Sequence, residues 1–193
     1  VNPSYIHTQY CDSLVATNNS VIESGVTDSV FWYFGEADTL KILAPPFDTE
    51  VYHVFSAEGS YAVSITVFNS TGCDSTKKEI LEFYYPAAEY DVPEMGCTGD
   101  EVFFTDLSVP GTGTSLTWEW DFDDGSPLEY IQNPGHTYSA NGTYNSSLTV
   151  VNEIGCSDQL IKAIIQEKPI AGFIADSVCF GAPNTFIDTT LFL

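Results

Sequence analysis

Five cysteines, a run of three aspartates and three histidines are the side chains of this 193-residue sequence best equipped for chemistry. Cysteines can oxidise in pairs or ligate a metal, and spacing separates the two uses. Cys11 and Cys73 lie 62 positions apart and Cys97 and Cys156 lie 59 apart, at equivalent landmarks of an internal repeat. Zinc wants closely spaced ligands such as C-x-x-C, and the sequence has none. The doubled spacing predicts two bridges, 11 to 73 and 97 to 156, each stabilising by roughly 4 kcal/mol through loop closure. Cys179 stands where the first cysteine of a third pair would, so its partner is expected roughly 60 residues downstream, beyond the end of the chain. Disulfides in turn imply an oxidising, extracellular setting.

Asp121, Asp123 and Asp124 place three carboxylates beside Gly125, a set of hard oxygen donors that suits calcium, the one cofactor candidate of the chain. Their spacing is not that of an EF-hand, and turn-forming aspartates give the same pattern. His53 and His136 occupy the same place in two copies of the repeat, beside an aromatic strand residue, which marks a structural position. The sequence carries no G-x-S-x-G, no phosphate-cradling glycine loop and no H-E-x-x-H, so a non-enzymatic role is expected. Phe31 and Tyr33 replace the polar residues of the second copy on one strand face. There they offer rings to stack on a glycan or to bury against a neighbouring module.

These groups need a folded scaffold, and the composition supplies one. Hydrophobic residues make up 44% and aromatics 14% of the chain, enough for packed cores despite a formal charge of −22. Five Lys and no Arg against 27 acidic residues repel phosphate backbones and anionic lipid heads, which excludes nucleic acid as a partner class. No apolar run approaches the 18 or so residues of a membrane span, so direct membrane insertion is not expected. The sequence begins without Met or signal peptide and is read as an internal segment of a longer polypeptide.

The repeat organises everything else. His53-Val54-Phe55 falls on His136-Thr137-Tyr138, Gly59-Ser60-Tyr61 on Gly142-Thr143-Tyr144, and Asn69 to Cys73 on Asn152 to Cys156, all at an offset of 83. Trp32-Tyr33-Phe34-Gly35 matches Trp120-Asp121-Phe122-Asp123 at an offset of 88, the difference belonging to loops. Pro3, Pro86 and Pro169 precede successive units, so the repeats run 1–84, 85–168 and 169–193, the last being the start of a truncated third copy. Alternation of period two at Leu116, Trp118, Trp120, Phe122 and at Tyr144, Ser146, Leu148, Val150 reads as half-buried strands. About seven short strands per unit predicts an all-β, immunoglobulin-like Greek-key sandwich. Trp32 and Trp120 are then expected in the cores, and Tyr61 and Tyr144 at tyrosine corners. Short proline-bearing connections predict an extended array.

Trp120-Asp121-Phe122-Asp123-Asp124-Gly125, Asn133-Pro134-Gly135-His136-Thr137-Tyr138, Gly142-Thr143-Tyr144 and Leu148 to Asn152 together resemble the PKD domain signature. Unit one resembles a degenerate copy, in which Gly35-Glu36-Ala37-Asp38 replaces the acidic turn. The Asn-x-x-Gly-Cys endings are similar to PKD arrays in large Bacteroidetes surface proteins, including gliding-motility adhesins exported by the type IX system. The resemblance implies a cell-surface or secreted stalk or adhesin segment. Its partners would be neighbouring repeats of the same polypeptide, surface glycans, and the export and motility machinery. The alternative it implies is a carbohydrate-binding or spacer array attached to a secreted polysaccharide-degrading enzyme. Six Asp-Ser/Thr triplets resemble the Bacteroidetes O-glycosylation sequon, where composition alone predicts about one. They make Ser13, Ser29, Thr39, Ser75, Ser177 and Thr189 candidate sugar acceptors of a glycoprotein.

Overall fold

The computed structural model describes residues 1–35, 39–42, 46–47, 50–175, 180 and 183–191. The described secondary structure is all strand, in two compact units. The first unit holds Val1–Ala87 together with Pro110–Leu116 and Val151–Ser157; the second holds Ala88–Val109, Thr117–Val150 and Asp158–Leu193.

In the first unit a three-stranded sheet is formed by β1 (Tyr5–Gln9), β2 (Ser13–Asn18) and β5 (Glu50–Val54) in the order β1-β2-β5. A four-stranded sheet, order β4-β3-β6-β7, holds β4 (Thr39–Ile42), β3 (Thr27–Tyr33), β6 (Gly59–Asn69) and β7 (Asp74–Phe83). Every described pairing is antiparallel, so each strand can turn one face inward. Val30 and Trp32 on β3, Val63, Ile65 and Val67 on β6, and Leu14 and Ala16 on β2 are the inward residues, all fully buried in one cluster. The period-two reading of β3 and β6 thus names the core face of both strands.

The second unit repeats the plan. β12 (Leu116–Asp121), β14 (Gly142–Asn152), β15 (Ser157–Glu167) and β9 (Met95–Cys97) form a sheet in the order β12-β14-β15-β9, the last pair parallel. Facing strands pair as β10 (Glu101–Phe103) with β13 (Gly135–Thr137), and β8 (Tyr90–Asp91) with β11 (Thr105–Asp106). Beyond them β16 (Phe173–Ala175) pairs with β17 (Phe186–Asp188), setting the Phe173 and Phe186 rings 5.8 Å apart.

An aromatic chain runs through each unit in the same order. His53 stacks on Phe34 at 4.2 Å, edges onto Phe55 at 4.7 Å, and Phe55 meets Tyr61 at 4.3 Å. His136 stacks on Phe122 at 4.0 Å, edges onto Tyr138 at 4.7 Å, and Tyr138 meets Tyr144 at 4.3 Å. Tyr61 and Tyr144 donate their hydroxyls to the carbonyls of Ala57 and Ala140, at 2.7 and 2.9 Å, which closes a tyrosine corner in each copy.

The duplication breaks where Val63 gives way to the buried Ser146, whose hydroxyl lies 3.0 Å from the Tyr90 hydroxyl, and again at the end of the last long strand. Phe83 on β7, 1% exposed, corresponds to Gln166 on β15, which is fully buried. Among the described residues neither end of the Gln166 amide has a hydrogen-bond partner, and the same holds for the buried Tyr138 hydroxyl. Gly96 leaves the room this amide fills, since a Cβ there would meet Gln166 Nε2 at 2.8 Å. A buried, unpaired amide costs about 1–3 kcal/mol, and an apolar group of the same shape removes that cost. Gln166→Met is therefore expected to stabilise the second unit by about that amount, read as a raised urea midpoint at unchanged m-value. A lowered midpoint would show that the amide is satisfied in solution.

Candidate functional site

The two turns that carry the second cysteine of each repeat are built alike. Asn69 at the end of β6 donates its N–H to the Cys73 carbonyl at 2.9 Å and accepts the Cys73 N–H on its side-chain oxygen at 2.9 Å. Its own carbonyl accepts the Gly72 N–H at 3.1 Å, while its amide nitrogen donates to the Ser24 carbonyl at 3.1 Å. Asn152 makes the same four bonds, to the Cys156 carbonyl (2.9 Å), from the Cys156 N–H (2.9 Å), from the Gly155 N–H (3.0 Å) and to the Pro110 carbonyl (3.0 Å). Gly72 and Gly155 both hold φ at +86°, a left-handed conformation that favours glycine, so N-x-x-G-C is a structural formula for this turn.

Beside Cys156, the Glu153 carboxylate accepts N–H bonds from Thr114 at 2.6 Å and Ser115 at 3.0 Å, and both hydroxyls as well. Its own backbone N–H and those two donors hold its pKa down at about 2. Cys11 lies in the loop between β1 and β2, anchored by the Phe55 N–H on the Asp12 carbonyl at 2.7 Å. Cys97 ends β9, in the loop that leads to β10, anchored by the Gly99 N–H on the Tyr138 carbonyl at 3.0 Å.

The cystine is Cys11–Cys156, with Cα atoms 5.3 Å apart, and Cys73 and Cys97 are free and exposed. This corrects the expected pairs 11–73 and 97–156, and strand geometry gives the reason. The Gln9 side-chain amide donates to the Glu82 carbonyl, which puts the Cys11 end of the sheet by the finish of β7. Cys73 precedes the start of that 10-residue strand, about 30 Å away at the usual rise. In the second copy Cys97 pairs in register with Glu167, while Cys156 sits at the other end of the 11-residue β15, again more than about 30 Å off. A disulfide needs Cα atoms within about 7 Å. The two cysteines of one repeat therefore occupy opposite poles of one sandwich. Cys179 lies outside the described residues.

The aspartates weighed as calcium ligands or as turn formers are engaged in the turn after β12. Asp121 Oδ1 accepts the Asp123 N–H at 2.9 Å, Asp123 Oδ2 accepts the Asn145 N–H at 2.9 Å, and Asp124 Oδ2 lies 2.8 Å from His136 Nε2. Burial acts to raise the Asp124 pKa, but bonds from Ser126 and His136 outweigh it and the net shift is downward. Asp123 has φ at +61°, where repeat one has Gly35 at +81°, so the turn shape survives the sequence change. Among the described residues no group of three or more His, Cys, Asp or Glu side chains is placed to hold a metal ion.

Of the aromatic pair, Phe31 is half-buried against Phe68 at 5.2 Å and Tyr33 is 41% exposed. Of the candidate sugar acceptors, Ser13 and Ser29 are buried at 5% exposure each, beyond reach of a transferase acting on the folded domain. Ser75 is half-buried and Thr189 exposed; Ser177 and the Thr39 side chain lie outside the described residues. Among the described residues no helix is long and apolar enough to cross a membrane.

Residues 8–81 and 84–165 each match the PKD domain family. Human polycystin-1 is 26% identical over 179 residues, covering 80% of this chain and 4% of polycystin-1, so the chain spans a small fraction of that relative. Among solved structures, the three N-terminal domains of the bacteriophage RB49 outer capsid protein Hoc share the fold. They align at a TM-score of 0.60 and 11% identity, over 100% of this chain and 69% of theirs. The PKD1 domain of the Vibrio cholerae metalloprotease PrtV is 21% identical, at a TM-score of 0.37, over 42% of this chain and 96% of its own. With two matches that together span most of its length, the chain belongs to the PKD domain family as a tandem pair of immunoglobulin-like sandwiches.

Proposed function

We propose that this tandem is a non-enzymatic, load-bearing spacer in the stalk of an extracellular protein exposed at the cell surface. The observation that carries the reading is the Cys11–Cys156 bridge, whose sequence separation is 145. Tension entering before Cys11 and leaving after Cys156 passes through the sulfurs and bypasses residues 12–155. All three tryptophans and every strand from β2 to β14 lie inside that bypass, in chain that bears no tension while the bridge holds, and the load falls on β1 and on the strands from β15 onward. A PKD domain with a disulfide fits an extracellular setting, where such a bridge persists. The resemblance of the N-x-x-G-C endings to Bacteroidetes surface arrays supports an adhesin or gliding-motility context reached by type IX export.

Single-molecule pulling between handles at Val1 and Leu193 tests the reading. Reduction is expected to add about 500 Å of contour length on full extension, from the 145-residue separation at about 3.3–3.6 Å per residue. Equal extension of the oxidised and reduced proteins would end the load-bearing proposal.

A further inference from the structure

The Cys156 turn engages Cys11, and a second copy of that turn, the one around Cys73, has an exposed thiol outside any disulfide, its sulfur accepting only the Thr71 hydroxyl among the described contacts. The four hydrogen bonds that shape it and the φ of its glycine match those of the engaged turn. The receiving side is duplicated as well. Cys97 occupies in the second repeat the loop that Cys11 occupies in the first, each leading into the strand that pairs with the His-bearing strand. Cys97 opens into a shallow, mainly apolar hollow of about 230 Å³ lined by Met95, Gly96, Glu167 and Pro169, with Met95 60% exposed.

We propose that Cys97 and this hollow are a docking site for the N-x-x-G-C turn of another PKD repeat, closed by a disulfide to that turn's cysteine. Cys73 is the matching plug. The shape of the plug is fixed by the asparagine bonds before it docks, which lowers the ordering cost of the contact. Plug and socket differ, so the contact is heterologous and can propagate from repeat to repeat. The assignment rests on the two turns and holds whether or not the segment bears load.

Closure needs a disulfide oxidant, for which oxidised glutathione serves. The Cys97 thiolate attacks one glutathione sulfur, forming a mixed disulfide and expelling one glutathione thiolate. The incoming cysteine thiolate then attacks the Cys97 sulfur and expels the second. Two protein thiols are oxidised, one glutathione disulfide is reduced to two thiols, and the two protons lost by the protein thiols end on the two expelled glutathione thiolates.

A second copy of this chain supplies the plug for the test. Two variants are made, Cys73→Ser/Cys179→Ser and Cys97→Ser/Cys179→Ser, each with one free thiol and with the Cys11–Cys156 peptide checked intact. Mixed in a glutathione redox buffer, they are expected to give a dimer linked Cys97 to Cys73. It should form about tenfold faster than either variant forms a homodimer, because docking raises the local thiol concentration. Adding Met95→Asp to the Cys97-bearing variant should abolish that advantage while leaving Cys97 able to take up glutathione. Homodimers and heterodimers in statistical proportion, or glutathione adducts without dimer, would overturn the proposal.

Discussion

Breaking the Cys11–Cys156 bridge, by reduction or by Cys11→Ser, is expected to lower the unfolding free energy of the first unit by about 5 kcal/mol. The loop it closes has a sequence separation of 145, and in the chain-entropy treatment the loss of denatured-state freedom grows with the logarithm of that length. A domain of this size is stable by only about 5–15 kcal/mol, so the reduced unit sits near the edge of folding at physiological temperature. Urea titrations of the oxidised, reduced and Cys11→Ser proteins measure the difference. The controls carry the discrimination: Cys73→Ser and Cys97→Ser remove exposed thiols that bridge nothing in this chain, and each should move the midpoint by about 0.5 kcal/mol or less. A comparable loss in either control would restore bridges within each repeat.

That contrast shows where sequence reading reached its limit. Residue types and alternation suffice to locate strands, because a β-strand advertises its buried face by period two, and Trp32, Trp120, Val63 and Leu148 were legible for that reason. The stacked histidines were legible as structural through their repetition. The cysteine pairing was not, since spacing along the chain says nothing about which pole of a sandwich a residue occupies. The missing step was available in the sequence. Cys73 and Cys156 directly precede the long strands that end each repeat, and carrying the strand rise from Cys73 to Phe83 puts about 30 Å between the poles. Gln166 was illegible for another reason. At the end of a strand, a lone glutamine among apolar positions gives no sign of facing inward until the register with Phe83 is set.

Trp120→Ala is expected to cost the second unit about 3–5 kcal/mol, as a large buried aromatic leaves a cavity that a close-packed sandwich cannot fill. Trp120 is fully buried and takes the edges of Tyr90 at 5.1 Å and Phe104 at 5.4 Å. Its indole N–H donates to the Ile131 carbonyl at 3.0 Å, tying β12 to the segment that follows the acidic turn. Trp32 is equally buried, against Tyr5 at 5.3 Å and Phe34 at 6.2 Å, but among the described residues its indole nitrogen has no partner. Removing a hydrogen bond and removing an unsatisfied donor act in opposite directions. The milder change to Phe should therefore separate the repeats. Trp120→Phe loses ring area and a bond, whereas Trp32→Phe loses similar area and sheds a desolvated N–H. The first is expected to exceed the second by about 1–2 kcal/mol, resolved by calorimetry on the oxidised protein with each unit's transition fitted separately. Equal losses, or a larger one at Trp32, would mean that the degenerate repeat satisfies its indole after all, and that the two cores are anchored in the same way.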